Sequence, residues 1–568
     1  MANIRAGYPE TAMTQQPTTH AHERQPALVP APTAWGSRGA VASPHHLATT
    51  VGVGVLRAGG GAVDAAVATN VALAVVAGHS CGLGGDAFWL IHDPLTGVVH
   101  ALNGSGRSAA GATIEAVRAA GHRTMPQRGP WSVTVPGAVH SWGEAHARFG
   151  RLPWPDLLAP AVELAEGFPA SPGWVDAVER SVAAFGADGD WARVYRPHGR
   201  PWRVGETVRL AALAESLRTL AAEGPRSAYA GTLGRRAAAY LADRGSPIRM
   251  PDLEGHRSDW ADPIATTYRG VTCLSHPPNS CGAVAIETLN VLEAFEPPPP
   301  GAFDGMGVAD ARWVHLGLEA SRLALADRDR WLTDRDAMEP GSLDRLLSRG
   351  RAAELAARID PHRAAPVRAS DLPTGGGTIY LATVDAAGGA VSLIESNYAG
   401  FGSGLVDPET GIGYQNRGSF FRLEPGHANS LAPSKRTLHT LTPGMMLRDG
   451  APWVVHGSMG GEVQPQVFAQ VVSAMVDGGV GPAMAVAAPR WAANLETHLG
   501  PPVLTLLESR YRPEVIEGLR ARGHDPRVIE PWSSSMGHTH AIELGGGAHG
   551  RWFAAATDPR SEGLPGAW

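Results

Sequence analysis

Two β-type runs joined by a four-residue turn constrain this chain most, because together they predict a β-hairpin. The first run, residues 378–385, and the second, residues 390–398, are rich in β-branched and aromatic residues, a composition that favours strands. The turn at residues 386–389 ends in two glycines. Three further glycines, at positions 375–377, precede the first run. The pattern therefore places Thr378 at the mouth of the hairpin, behind a flexible lead.

This position suggests a chemical role for Thr378. A threonine hydroxyl is a weak nucleophile that needs an adjacent base. An N-terminal threonine supplies that base from its own α-amine, whose ordinary pKa of about 7.7 to 8.0 lies near working pH. Glycines allow the strained backbone that would put the Gly377 carbonyl on the Thr378 hydroxyl. The sequence thus predicts self-cleavage between Gly377 and Thr378 through an ester intermediate.

Composition excludes several other classes of protein. The chain has 568 residues, of which 43% are hydrophobic, and a net charge of −6. Nucleic-acid binding would require a basic footprint, which this charge does not supply. The three cysteines, Cys81, Cys273 and Cys281, have no CxxC spacing and give no disulfide framework. No histidine or carboxylate spacing matches a metal signature, so we expect no metal and no organic cofactor.

The N-terminal segment carries no visible targeting signal. Residues 1–34 are polar and rich in Gln, Thr, His and Pro, which predicts a disordered lead. No charged start followed by an apolar run marks a secretory signal. No apolar run reaches the roughly 18 residues that a membrane-spanning helix needs. A cytoplasmic protein without a membrane partner is the expectation.

The remaining chain alternates helices with strands, which predicts an α+β fold with a sheet core covered by helices. Helices are expected at residues 47–57, 63–77, 138–149, 153–166, 311–332 and 466–475, with more helix within 205–243 and from 283 to 292. Strands are expected at residues 87–92, 98–102, 133–135, 264–274, 452–456, 503–507, 541–544 and 552–555. Residues 63–77 lack a polar face and should be buried. The charges of residues 311–332 lie three or four apart, which is typical of a solvated face. Residues 363–377 should be exposed and mobile.

Four glycine-rich loops are candidate parts of a functional site. The glycines at 59–61 and 82–85 match neither GxxxxGK[ST] nor GxGxxG, so a nucleotide-dependent enzyme is excluded. Arg107 follows a predicted strand on a Gly-Ser-Gly loop, where it could bind a carboxylate bidentately or simply be solvated. Gly460 and Gly461 lie between a strand and a helix, where backbone N–H groups can hold an oxyanion.

Several motifs in combination resemble the γ-glutamyltransferase (glutathione hydrolase) family of N-terminal-nucleophile hydrolases, from about residue 39 to residue 568. The motifs are ASPH at 42–45, GGGAVDAA at 59–66, GLGGD at 82–86, VTVPGAV at 133–139, PPNS at 277–280, DRD at 327–329 and DPRS at 558–561.

The resemblance implies a four-layer α-β-β-α sandwich built as one intertwined domain. It implies a precursor cut into a large subunit, residues 35–377, and a small subunit, residues 378–568, with Thr378 as the N-terminal nucleophile. The two subunits would form a heterodimer, and further dimerisation is left open. The family's oxyanion glycines correspond to Gly460 and Gly461, and the hydroxyl that supports the nucleophile corresponds to Ser396.

The substrate pocket departs from the best-known family members. Their arginine for the glutamyl α-carboxylate aligns with Ser105, with Arg107 two residues later. Their acid for the α-amine aligns near Phe420, beside Arg417. The family's asparagine is either present as Asn397 or displaced by Tyr398, and its serine pair becomes His439 and Thr440. The candidate substrate-binding residues are therefore Arg107, Asn397, Tyr398, Arg417, His439 and Thr440. A cationic ammonium would be poorly compensated beside Arg417.

Three readings of function follow. The first is an autoprocessed enzyme that cleaves a γ-glutamyl or related small acyl amide through a Thr378 acyl-enzyme, with water or an amine as acceptor. The second keeps that chemistry with another specificity, because the branch resembled includes glutathione-hydrolase-like proteins, oxamate amidohydrolase, cephalosporin side-chain acylases and carbon–carbon bond hydrolases. The third is an unprocessed, non-catalytic homologue, against which the retained Thr378, Ser396 and glycine pair argue.

Overall fold

Two seven-stranded antiparallel sheets packed face to face organise the molecule. The computed structural model describes residues 33–366, 377–497, 500–546 and 550–568, without the side chains of 494–497 and 500–504. The strands described are β1 (Thr33–Gly36), β2 (Gly39–Ala42), β3 (Asp86–Asp93), β4 (Val98–Gly104), β5 (Phe168–Pro169), β6 (Thr207–Val208), β7 (Asp259–Ala261), β8 (Ile264–Tyr268), β9 (Val271–Ser275), β10 (Phe303–Asp304), β11 (Gly307–Val308), β12 (Gly377–Asp385), β13 (Ala390–Tyr398), β14 (Gly444–Arg448), β15 (Ala451–Ser458), β16 (Trp491–Thr497), β17 (Gly500–Glu508), β18 (Arg527–Ile529), β19 (Thr539–Gly545), β20 (Trp552–Thr557) and β21 (Gly566–Ala567).

Helices cover the outer face of each sheet. Those described are α1 (His46–Arg57), α2 (Ala62–Val76), α3 (Ile114–Ala119), α4 (Ala138–Phe149), α5 (Trp154–Glu166), α6 (Pro172–Phe185), α7 (Asp190–Tyr195), α8 (Ala211–Glu223), α9 (Thr232–Asp243), α10 (Met250–Glu254), α11 (Gly282–Leu292), α12 (Ala311–Trp331), α13 (Ser342–Leu347), α14 (Arg349–Ala356), α15 (Gln464–Val476), α16 (Pro482–Ala487) and α17 (Pro513–Ala521). In the ranges described, no helix combines the length and apolar character needed to cross a membrane.

The order of strands places the predicted hairpin at the centre of one sheet. That sheet runs β21-β2-β12-β13-β3-β4-β7, and the other runs β1-β20-β19-β15-β14-β9-β8. The hairpin strands β12 and β13 pair in register from Thr378 opposite Ser396 to Val384 opposite Ala390. Their outer neighbours, β2 and β3, both come from the chain before residue 377.

Alternating side chains build three apolar layers, as the period-two geometry of a strand requires. One face of the hairpin, including Tyr380 and Ile394, packs between the two sheets against Val455 and Ile542. The opposite face packs against α1, α2, α4 and α5. A third cluster joins the second sheet to α11, α12 and α15. The four-layer α-β-β-α sandwich is therefore confirmed.

Most predicted elements are present, and the exceptions have physical reasons. Residues 133–135 are not a strand; the Val135 N–H donates to the Arg107 carbonyl at 2.9 Å outside any ladder. The predicted strand at 264–274 is a hairpin, since Arg269 and Gly270 both have positive φ and turn the chain. Thr33 and Ala34, which we expected in the disordered lead, lie in β1. The mobile segment predicted at 363–377 falls largely outside the described residues.

The charges of α12 were also misjudged. Arg322, Asp327 and Arg328 are buried rather than solvated. Arg322 pairs with Glu319 on the same helix. Asp327 and Arg328 pair instead with residues far away in sequence, Arg351 of α14 at 2.7 Å and Glu462. Spacing along one helix could not reveal such partners.

Candidate active site

A chain of hydroxyls connects Thr378 to the peptide bond before it. Thr378 Oγ1 lies 2.8 Å from Ser396 Oγ, and Ser396 Oγ donates to the Gly377 carbonyl oxygen at 2.8 Å. Because Ser396 has one hydroxyl proton and gives it to Gly377, the Thr378 hydroxyl must donate to Ser396. The Tyr398 N–H also donates to Ser396 Oγ at 2.7 Å. Ser396 thus polarises the Gly377 carbonyl and orients the Thr378 hydroxyl at the same time.

A register shift shapes the backbone around this site. The pairing of β12 and β13 slips between Gly377 and Thr378, so that Gly377 lies opposite Tyr398. Tyr398 adopts a φ of 72°, a conformation that residues with side chains rarely adopt and that costs about 1 to 3 kcal/mol. A Cβ on Gly377 would lie only 2.9 Å from the Gly400 nitrogen, so glycine is required there. The strained Tyr398 therefore lies directly opposite the residue before the predicted cleavage bond.

Arg417 lies beside the hydroxyl chain. Its Nη2 is 3.5 Å from Ser396 Oγ and its Nη1 is 3.4 Å from Thr440 Oγ1. The guanidinium stacks on the rings of Tyr398, at 4.5 Å, and Phe420, at 5.2 Å. Arg417 is 1% exposed, and burial lowers its pKa to about 10, so the side chain remains protonated at neutral pH.

A buried carboxyl–imidazole pair forms the next part of the site. Asp86, which begins β3, accepts from the Gly106 N–H at 3.1 Å and lies 3.3 Å from His439 Nε2. Burial raises the pKa of Asp86 to about 7, against the lowering effect of Arg417. Burial, followed by the charge of Arg417, lowers the pKa of His439 well below its usual range, which leaves the imidazole neutral. The pair therefore changes its protonation near neutral pH without adding a second cation.

The glycine turn after β15 approaches the same region. Gly460 and Gly461 have φ values of 132° and 59°, and a Cβ on Gly460 would be 3.0 Å from Gly537 Cα. The next residue, Glu462, forms a buried ion pair with Arg328 of α12. The charge of Glu462 contributes to the pKa of Arg417, so the turn lies within electrostatic range of the Arg417 cluster.

Two predicted site residues lie apart from this cluster. Arg107 is partly exposed and pairs with Asp259 at 3.3 Å, an acid that it shares with Arg436. Asn397 points to the helical face of the sheet, where its Nδ2 donates to the Gly78 carbonyl at 3.4 Å. Of the candidates Asn397 and Tyr398, only Tyr398 contacts Arg417. Substrate binding by Arg107 and Asn397 stays a prediction.

Sequence reasoning did not single out three acids around the site. Asp86 lies in the GLGGD motif, whose pattern alone indicates no role for the acid, and Glu462 directly follows the two glycines of the 460–461 turn. Glu395 is fully buried beside Ser396 in sequence and accepts from the Gly82 N–H at 2.8 Å and from Asn70. Glu395 is the only charged residue of β13, and that was the available signal for it.

One group of possible metal ligands lies elsewhere. Ligand atoms of His315, Glu319 and His524 lie within 4.8 Å of one another. Arg322 Nη1 forms an ion pair with Glu319 and lies 3.5 Å from His524 Nδ1. His315 Nδ1 is 2.7 Å from His524 Nε2. These contacts already supply a cation for the carboxylate and a partner for each imidazole, so they explain the cluster.

The sandwich, with a threonine near the start of a central strand, defines the class of N-terminal-nucleophile hydrolases. The family model described as Gamma-glutamyltranspeptidase matches residues 48–568. The glutathione hydrolase-like YwrD proenzyme of Bacillus subtilis is 37% identical over 533 residues, which cover 93% of this chain and 98% of the relative. The oxamate amidohydrolase proenzyme of Klebsiella pneumoniae is 36% identical over 536 residues, with 93% and 98% covered.

A solved structure agrees with these relatives. The crystal structure of cephalosporin acylase from Bacillus halodurans matches with a TM-score of 0.86 and 35% identity, covering 98% of this chain and 99% of that one. This chain therefore belongs to the γ-glutamyltranspeptidase family. Its relatives are named as hydrolases and acylases, and it is an enzyme of that kind.

Proposed function

We propose that the chain is a precursor that cuts its own Gly377–Thr378 bond and then uses Thr378 as an N-terminal nucleophile. The single observation that carries this proposal is the hydroxyl chain from Thr378 through Ser396 to the Gly377 carbonyl oxygen. The same serine orients the attacking group and polarises the bond to be attacked. A non-catalytic homologue would not need this arrangement.

Maturation proceeds as an N-to-O acyl shift. Thr378 Oγ1 bonds to the Gly377 carbonyl carbon, the C–N bond breaks, and the hydroxyl proton ends on the threonine nitrogen. Water then hydrolyses the ester, which leaves a carboxylate on Gly377 and a free α-amine and hydroxyl on Thr378. The large subunit would comprise the chain up to Gly377, with residues 35–377 as its expected folded part, and the small subunit residues 378–568.

Catalysis on a substrate reuses the same atoms. The α-amine of Thr378 takes the hydroxyl proton while Oγ1 attacks the acyl carbonyl. The N–H groups of Gly460 and Gly461 hold the oxyanion, a contribution of about 10²–10³ in rate for each donor in other hydrolases. The leaving amine takes the proton, and water or an amine acceptor releases the acyl group from Thr378. The residues invoked need no metal or organic cofactor for these steps.

The substrate is a small acyl amide, of the γ-glutamyl type or a related one. The relatives named above are called a glutathione hydrolase-like proenzyme, an oxamate amidohydrolase and a cephalosporin acylase. Glu462 Oε1 is buried without a hydrogen-bond partner among the described residues, but Arg328 already neutralises this carboxylate, so it offers little charge to a substrate ammonium. A heterodimer in the cytoplasm remains our expectation.

Mass spectrometry and activity measurements test the proposal together. We expect purified protein to contain two polypeptides, one of which starts at Thr378, and to hydrolyse at least one small acyl amide. The panel should include γ-glutamyl anilide, glutaryl amides and oxamate. Activity from an unbroken polypeptide would overturn the proposal, as would complete cleavage at a different bond.

A further inference from the structure

Arg417 is a buried cation without a carboxylate partner among the residues that the structure describes. Most buried arginines of the molecule are paired: Arg328 contacts Glu462, and Arg560 contacts Asp558 at 3.0 Å. The contacts of Arg417 are two hydroxyls, at 3.4 and 3.5 Å, and two aromatic rings. Its Nε has no hydrogen-bond partner in the described part of the chain.

Burying the Arg417 guanidinium without an ion-pair partner costs free energy. Moving an ion from water into a protein interior costs several kcal/mol even after relaxation. The two aromatic faces offset part of that cost. The nearest acids, Asp86 and Glu462, act on Arg417 only through space, and each has a direct contact elsewhere, with His439 and Arg328. The pKa of Arg417, lowered by burial to about 10, shows the penalty but leaves the charge in place at neutral pH. The site is therefore prepared for an anion that arrives with a ligand.

The position of Arg417 limits where that anion can be. Ser396 Oγ lies 2.8 Å from Thr378 Oγ1 and 3.5 Å from Arg417 Nη2, so one atom separates the nucleophile from the cation. Arginine binds carboxylates bidentately through its planar fork. A carboxylate held there must lie only a few bonds from the carbonyl that Thr378 attacks.

We propose that Arg417 binds a carboxylate on the acyl donor and that the donor is a monoamide of a short dicarboxylic acid, with up to three carbons between carboxylate and scissile carbonyl. This inference rests on the proposed function. Oxamyl, succinyl and glutaryl amides belong to this class. The donor needs no α-amine, because an ammonium beside Arg417 would add a second cation to the same pocket.

Paired donors test the substrate class on the wild-type enzyme. Glutaryl p-nitroanilide and pentanoyl p-nitroanilide differ by the terminal carboxylate, and γ-glutamyl p-nitroanilide adds the α-amine. We expect kcat/KM to be about 100-fold higher for the glutaryl than for the pentanoyl donor, the size of a charge-assisted hydrogen-bond pair. The glutaryl donor should also exceed the γ-glutamyl donor. Equal rates for glutaryl and pentanoyl donors, or a faster γ-glutamyl donor, would overturn the inference.

Variants assign the effect to Arg417. Arg417→Met should reduce the ratio of glutaryl to pentanoyl kcat/KM to near one, while Arg417→Lys, which keeps the charge, should retain part of it. Arg180→Met, on the exposed surface of α6, makes the same exchange away from the site and should leave the ratio unchanged. If the ratio of glutaryl to pentanoyl kcat/KM is unchanged in Arg417→Met, another group binds the carboxylate.

A further measurement needs no variant. Succinate should inhibit wild-type hydrolysis competitively, and the neutral succinamide should inhibit at least about tenfold less, since a charged hydrogen bond contributes about 1.5 to 3 kcal/mol. Equal inhibition by both would contradict the proposal. Protein that never cleaves and hydrolyses no donor would instead refute the proposed function, so the two failures are distinguishable.

Discussion

Two buried groups of arginines in this molecule differ in whether their charges are matched. Around Asp558, Arg490 and Arg560 both contact the carboxylate, and Arg560 Nε also donates to Glu508 at 2.8 Å. The Thr539 N–H completes the group by donating to Asp558 at 2.7 Å. Arg417, beside Thr378, has hydroxyls and aromatic rings instead of a described carboxylate partner.

The pKa values express the same contrast. Burial alone would raise the pKa of Asp558, but Arg490 and Arg560 outweigh it and hold that pKa well below its usual range. Burial dominates at Arg417, whose pKa falls to about 10. The matched charges stabilise the scaffold, whereas the unmatched charge of Arg417 is the one that we propose binds a carboxylate of the substrate. Changes near Thr378 should therefore remove activity and spare stability, and changes at Asp558 should do the opposite.

Replacing the nucleophile gives the largest expected effect. Thr378→Ala should remain one polypeptide and have no measurable hydrolysis, because it lacks both the attacking hydroxyl and the N-terminus that cleavage creates. Denaturing gels and intact mass would measure this. Thr383→Ala is the matched control, since Thr383 Oγ1 donates to the Ala62 carbonyl at 2.6 Å toward the far end of the strand. Normal cleavage of Thr378→Ala would remove Thr378 from the mechanism.

Removing the supporting hydroxyl should have the next largest effect. Ser396→Ala loses the donor to the Gly377 carbonyl and should slow self-cleavage by about 10²–10³, as when an oxyanion donor is lost. The rate at which two chains appear in freshly purified protein would measure it. Ser396→Thr keeps the hydroxyl and should still mature. Maturation of Ser396→Ala at the wild-type rate would show that the hydroxyl chain is not used.

A change in the Asp558 group, whose charges are matched, should alter the stability of the fold. Asp558→Asn should lower the free energy of unfolding by about 3 to 5 kcal/mol, because it leaves the buried Arg490 without its ion-pair partner. Denaturant unfolding at pH 7 would measure it. Asp176→Asn, in an exposed pair with Arg180, should change stability by less than about 1 kcal/mol. An unchanged stability in Asp558→Asn would remove the distinction between matched and unmatched charges.

The Asp558→Asn variant also tests how the free energy of unfolding changes with pH. The folded pKa of Asp558 is depressed, so the stabilisation that it contributes is present above its unfolded pKa of about 3.9 and is lost as the pH falls below that value. The difference in unfolding free energy between wild type and Asp558→Asn should therefore narrow on acidification. If this difference in unfolding free energy instead grew in acid, the pKa of Asp558 could not be depressed in the folded state.

Arg107 should give the smallest effect. Arg107→Ala should raise KM for the best donor by roughly three- to fivefold and leave the rate of self-cleavage nearly unchanged, since a partly exposed ion pair contributes about 1 kcal/mol at most. Steady-state kinetics on the matured enzyme would measure it. Wild-type kinetics on that donor would show that Arg107 is no ligand.

Local patterns predicted the framework well. The hairpin strands were expected at 378–385 and 390–398 and are found at Gly377–Asp385 and Ala390–Tyr398. Helix α2 was expected to be buried, and each of its residues is. These features depend on neighbours in sequence, namely composition, period and turn glycines. For the same reason Thr378 could be singled out before any fold was known.

The rest depended on contacts between distant segments. Glu462 was passed over, and Arg328 was assigned to a solvated helix face, because their ion pair joins residues 134 positions apart. Asp86 and His439 meet across 353 positions. Arg417 was proposed as a substrate ligand from a family mismatch, but its lack of a described carboxylate partner could be seen only in three dimensions.

The strand order has a consequence for the severed protein. Strands from before and after residue 377 alternate in one sheet, where β12 and β13 lie between β2 and β3, and the other sheet draws β1, β8 and β9 from the earlier segment. After cleavage before Thr378, neither polypeptide contains all the strands of either seven-stranded sheet. Dissociation would then be the same event as unfolding. Refolding of the mature enzyme from denaturant would therefore be bimolecular, and its yield would depend on protein concentration. Refolding of the uncut precursor would be unimolecular and would lack that dependence.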